Sequence, residues 1–93
     1  MTPRTIRDTT EQRVALGRRI RAWRVRRDLS QAGLARLAGV TQSTLSNYEN
    51  GKRDLSVSIL IRIADELDVD LEDLTGRAIR RRRDGPPRER MRD

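Results

Sequence analysis

The chain has 93 residues, no Cys, no His and a formal net charge of +7, enough for one modest core and too little for a separate effector-binding domain. These absences exclude disulfides and thiolate or imidazole metal sites and remove the commonest general base, so the expectation is no enzyme, no cofactor and no metal. The positive charge suggests a polyanionic partner, but residues 77–93 hold eight Arg against three acids, which leaves thirteen cations and eleven acids in residues 1–76.

Taken in order, residues 1–9 show no periodicity and read as a flexible arm. Arg4 and Arg7 fit a solvated tail better than a minor-groove contact. The first residues lack an apolar leader core, and no apolar run approaches the roughly 18 residues of a membrane span, so a cytoplasmic protein without a membrane partner is expected. From about Thr10 to Arg27, Leu16, Ile20 and Trp23 recur at i, i+4 and i+7 with Val14 nearby, and most of the seven Arg fall off that stripe. This is a first helix with a basic outer side. Asp28 and Leu29 break it, and Leu29 is expected to turn into the core.

Ser30 then stands as an N-cap, with Leu34, Leu37 and Ala38 on one face of a helix over 31–38. Gly39 supplies the left-handed conformation that ends it, and Val40 packs inward and fixes the exit direction. Thr41 caps a second short helix whose inward stripe is Leu45 and Tyr48, with Gln42, Ser43, Ser46, Asn47 and Asn50 opposite, and Gly51 stops it. After the exposed Lys52-Arg53-Asp54, Ser56 caps a helix carrying Ile59, Leu60, Ile63, Ala64 and Leu67. Asp70 and Asp73 frame a final turn with Leu71 and Leu74 inward, and Gly76 closes the folded part. Residues 77–93 contain the breaker Gly85-Pro86-Pro87 and read as a partly disordered Arg-rich tail. The organisation is therefore an all-α domain over 10–76, with an arm before it and a tail after it.

A helix face that meets only water usually fills with Lys, Glu and Arg, whereas the face of Gln42, Ser43, Ser46 and Asn47 carries only amides and hydroxyls. Gln and Asn can bond bidentately to adenine, and Ser and Thr can donate or accept at several base edges. Ser30-Gln31, Leu34-Ala35, Ala38-Gly39-Val40, Leu45-Ser46 and Glu49-Asn50-Gly51-Lys52 resemble the helix-turn-helix of the lambda-repressor and Cro-like family, also called the xenobiotic-response-element family. The resemblance covers about residues 13–75. It implies a compact five-helix domain that binds double-stranded DNA as a transcriptional regulator, a repressor. By position in the motif, Gln42, Ser43 and Asn47 contact bases, with Thr44 and Ser46 at the margin of reach. Gln31, Asn50, Lys52 and Arg53 fall to phosphates, Gln31 aided by the positive end of its helix. Arg24 pairs with Glu49, pinning the first helix to the recognition helix. Trp23 and Tyr48 belong to the core.

Three positions depart from the family pattern. Gly33 replaces an acid that would complete a capping box with Ser30, so its helix either frays or uses the glycine for a close approach. Leu55 stands where proline is common. Asp68 occupies a usual glycine position, which it tolerates because Asp visits the left-handed region. One such unit reads a short half-site, and the fold acts as a twofold homodimer on palindromes. Two surfaces suit a partner: an apolar rim of Leu55, Ile61, Val69 and Leu71, and the acidic run Asp65, Glu66, Asp68, Asp70, Glu72 and Asp73, which can attract the Arg77–Asp93 tail. A different class of function is a protein-interaction module, such as an antitoxin or a polymerase-docking regulator that uses this tail.

Overall fold

The computed structural model describes residues 4–76, with side chains from Thr10 onward. Its helices are α1 (Arg4–Arg26), α2 (Gln31–Ala38), α3 (Gln42–Glu49), α4 (Val57–Leu67) and α5 (Leu71–Thr75), and no strand occurs among the described residues. Ile20, Leu34, Ala35, Ala38, Leu45, Tyr48, Ile63, Ala64, Leu67 and Leu74 form one core to which all five helices contribute. Leu16, Trp23, Leu29, Val40, Ile59 and Leu60 pack at its margin.

Two expectations need correction. Helix α1 begins at Arg4 rather than near Thr10, so residues 4–9 are helical. Once a helix is nucleated each further residue adds a hydrogen bond, and no Gly or Pro interrupts residues 4–9. In α2 the inward face is Leu34, Ala35 and Ala38, while Leu37 is 41% exposed. Over two turns a shift of one position rotates a side chain by about 100°, and the packing of α2 on α3 and α4 decides which neighbour faces in. The tail from Arg77 to Asp93 lies outside the described residues.

The helix boundaries that follow α1 have local causes. Ser30, Thr41 and Ser56 accept hydrogen bonds from the N–H groups of Gly33 (2.9 Å), Thr44 (3.0 Å) and Ile59 (3.2 Å), and the Asp70 N–H donates to Asp73 Oδ2 at 2.9 Å. These bonds satisfy donors that a helix start leaves open. Helix α2 runs unbroken through Gly33, where an added Cβ would stand 3.1 Å from Ser30 Oγ. The glycine therefore lies against the cap. At the other ends the chain turns left-handed at Asp28 (φ 59°), Gly39 (φ 77°), Gly51 (φ 72°) and Asp68 (φ 59°). The next N–H then bonds back, from Leu29 to Arg24 O (3.1 Å), Val40 to Ala35 O (3.0 Å), Lys52 to Asn47 O (2.9 Å) and Val69 to Ala64 O (3.0 Å).

Arginines complete these C-terminal closures from a distance. Arg62 Nε donates to Leu37 O at the end of α2 (3.2 Å), and Arg13 Nε to Gly51 O after α3 (3.2 Å). Arg27 donates to Leu67 O (2.7 Å) and Asp68 O (3.2 Å) after α4, and Arg19 to Thr75 O in α5 (3.5 Å). A helix C-terminus offers unpaired carbonyls at the negative end of its dipole, so each guanidinium meets both a hydrogen-bond acceptor and a favourable field.

Candidate nucleic-acid interface

Helix α3 is held at both ends and along one side. Thr41 caps its start and packs its hydroxyl on Thr44, with 2.9 Å between the two Oγ1 atoms. Leu45 and Tyr48 anchor its inner face in the core. Its C-terminal end meets α1 at Gly17, where an added Cβ would collide with Tyr48 O and stand 2.6 Å from Glu49 O. Sequence periodicity passes over Gly17. The available signal is a lone glycine in a helix interior, which costs about 1 kcal/mol relative to Ala and so marks a close approach.

Beside Gly17, Arg24 Nε donates to Glu49 Oε2 at 2.7 Å and Nη2 to Glu49 Oε1 at 3.2 Å, a two-bond ion pair. Arg24 Nη1 also donates to Leu29 O at 2.9 Å, fixing the turn into α2. Glu49 is 6% exposed. Such burial leaves the carboxylate dependent on its partners, since an unpaired buried charge costs several kcal/mol. The family resemblance implies this pair, and the structure brings α1, α2 and α3 to one point through it.

Glu49 has a second partner. Gln31 Nε2 donates to Glu49 Oε1 at 3.1 Å, and Gln31 Oε1 accepts from Gln42 Nε2 at 3.3 Å. Gln31 was expected as a phosphate donor from sequence alone. In the fold its amide stands half-buried between α2 and α3, with its carbonyl and one N–H engaged inside the protein.

Positions 42, 43, 46, 47 and 50 share one side of α3 by helical spacing. Their engagement differs. Ser43 is exposed and Asn47 half-buried, and neither side chain makes a hydrogen bond among the described residues. Gln42 is exposed with one amide N–H given to Gln31. Ser46 accepts from Asn50 Nδ2 at 3.4 Å, and Thr44 is half-buried against Thr41. Lys52 and Arg53 follow α3, both exposed and without ion pairs among the described residues, whereas Asp54 pairs with Arg13 at 3.6 Å. The arrangement offers uncharged donors and acceptors along one helix, flanked by two solvated cations, which suits base edges beside phosphates.

Residues 20–74 match the helix-turn-helix family HTH_3. The uncharacterized HTH-type transcriptional regulator YazB of Bacillus subtilis is 38% identical over 58 residues, 62% of this chain and 84% of YazB. Antitoxin PezA of Streptococcus pneumoniae is 33% identical over 61 residues, 66% of this chain but 39% of PezA, so the chain spans about two fifths of that relative. Among solved structures, the restriction-modification controller protein C.AhdI of Aeromonas hydrophila is similar with a TM-score of 0.63 and 34% identity, covering 66% of this chain and 92% of C.AhdI.

Proposed function

The chain belongs to the HTH_3 helix-turn-helix family, as a DNA-binding transcriptional regulator, and from that premise we propose that it is a repressor acting as a homodimer on a palindromic operator. The observation that carries the reading is the outer side of α3, where Ser43 and Asn47 are unengaged and Gln42 keeps a carbonyl and one N–H for a base. In this reading α3 lies in the major groove. Gln42, Ser43 and Asn47 meet base edges, Ser46 and Thr44 sit at the limit of reach, and Asn50, Lys52 and Arg53 meet the flanking phosphates. Gln31 is left with one amide N–H for a phosphate.

The dimer is supported by the exposed side of α4. Of the rim expected from sequence, Leu55, Val69 and Leu71 pack at the core margin, but Ile61 is 43% exposed and Val57, one turn earlier, is 71% exposed. A second subunit seated there would present a second α3 to the other half-site, and dimers of this kind read half-sites about one helical turn apart. The protein works by binding rather than by catalysis. We also place it in the cytoplasm on the nucleoid, where a DNA-binding regulator meets its operator.

Selecting bound sequences from a random duplex pool, with the mass of the complex measured, tests the reading. A palindromic consensus and a two-chain mass support it. No enrichment favours the second reading, an antitoxin or polymerase-docking module that engages a protein through residues 77–93, which the similarity to antitoxin PezA motivates.

A further inference from the structure

Resting on the reading of α3 as the base-contacting helix, we propose that buried Glu49 fixes the polarity of the Gln42 amide through Gln31, and thereby selects adenine over guanine at the base pair Gln42 meets. The argument begins at the carboxylate. Glu49 is gripped through both oxygens by Arg24, at 2.7 and 3.2 Å, and in that pair it has no proton to give. A glutamine that bonds to it must turn its Nε2 toward it, as Gln31 does at 3.1 Å. The carbonyl of Gln31 then faces Gln42, and only Nε2 of Gln42 can satisfy it, at 3.3 Å.

Gln42 is left presenting its carbonyl and its second N–H. That pattern complements adenine, which shows the N6 donor beside the N7 acceptor, and clashes with guanine, which shows two acceptors, O6 and N7. Two glutamines alone would pair equally well in either sense, because each amide can donate or accept. The reverse sense would turn the two N–H groups of Gln42 outward, toward guanine. What breaks the tie is a charge three side chains behind the base, on a residue that touches no DNA. Glu49 and Gln31 are thus positioning residues for specificity.

The substitution Glu49→Gln makes the sharpest test. Arg24 continues to donate, so the new side chain turns its carbonyl to Arg24 and its Nε2 to Gln31, which reverses Gln31 and then Gln42. Gln31→Met cuts the relay on a half-buried residue outside the core and keeps the fold. Random-pool selection with the full chain, below the melting temperature of each variant, compares these with wild type and Gln42→Ala. The expected wild-type result is adenine at one position of each half-site, a preference lost in Gln42→Ala. At that position Glu49→Gln prefers guanine, and Gln31→Met loses about tenfold of the adenine-over-guanine ratio, within the ~5- to 150-fold that a bidentate contact provides. All other positions hold.

Adenine retained at that position in both Glu49→Gln and Gln31→Met overturns the relay while leaving the DNA reading intact. So does a Gln31→Met chain weakened equally on every sequence, which assigns Gln31 to a phosphate instead. A wild-type pool without enrichment overturns the base reading and the relay together.

Discussion

Between Arg13 and Arg27 the chain carries seven arginines, and along the outer side of α3 it carries none, yet the second region is the one we propose to meet DNA. Arg13, Arg19 and Arg27 end on backbone carbonyls at the termini of other elements, and Arg24 ends on a buried carboxylate. These cations close the fold. On α3 the polar groups are fewer and weaker, but Ser43 and Asn47 have no partner among the described residues. A charged side chain within reach of an orphan carbonyl is taken up by the structure, whereas an uncharged one on a solvated helix face has no such claimant. Free donors and acceptors, rather than the number of charges, mark the proposed recognition surface.

The comparison can be broken most violently where the regions touch. Gly17→Leu forces a side chain into Tyr48 O and Glu49 O, and should cost about 3 kcal/mol or more, a fall in Tm of at least roughly 12 °C. A circular-dichroism melt within a few degrees of wild type would show that α1 and α3 are not so tightly apposed. Glu49→Ala comes next. It strands Arg24, itself largely buried, and should destabilise by about 3 kcal/mol while also lowering DNA affinity. Unchanged stability would dispose of the pair as a structural clamp.

Smaller effects should separate the two regions cleanly. Asn47→Ala is expected to leave the melt within about 0.5 kcal/mol and to relax preference at one base pair by about 1–3 kcal/mol, read by titrating single-substituted operators. Arg27→Ala should do the reverse. It removes two carbonyl contacts after α4, costing about 1 kcal/mol of stability, with the salt dependence of DNA binding unchanged. Lys52→Ala has the mildest signature: an unaltered melt and a log–log salt slope shallower by about 0.9. If Arg27→Ala flattened that slope as Lys52→Ala does, the division between structural and DNA-facing cations would fail.

Much of the fold is legible in the sequence because its boundaries are set by short-range chemistry. Ser30, Thr41 and Ser56 act on donors within three residues, and the left-handed closures at Gly39 and Gly51 need nothing beyond the next N–H. The left-handed turn at Asp68 is likewise readable, because position and residue type both favour it. What the sequence hides depends on packing between distant elements. Leu37 and Ala35 are neighbours on a two-turn helix, and only the placement of α2 against α3 and α4 decides that Ala35 is buried. Gly17 matters because the carbonyls of Tyr48 and Glu49 lie over it, more than thirty residues along the chain. The arginine closures are hidden for the same reason.

Within the candidate site, the identity of the polar residues was readable and their engagement was not. Nothing in the spacing of Gln31, Gln42 and Glu49 says that one amide stands between the other two groups. That is a property of how α2 leans on α3. It also divides a face that looks uniform in sequence into bonded positions, Thr44 and Ser46, and unbonded ones, Ser43 and Asn47.

Trp23 is the single tryptophan of the chain, and it lies half-buried with the guanidinium carbons of Arg26 and Arg27 at 4.7 and 5.0 Å from its ring centre. One of those arginines reaches on to the end of α4. The indole is therefore an optical gauge built into the joint between the first and fourth helices. Its emission should shift to the red as that joint opens and leave the far side of the molecule unreported, so the protein carries its own label for the core and remains dark at the surface proposed to meet DNA.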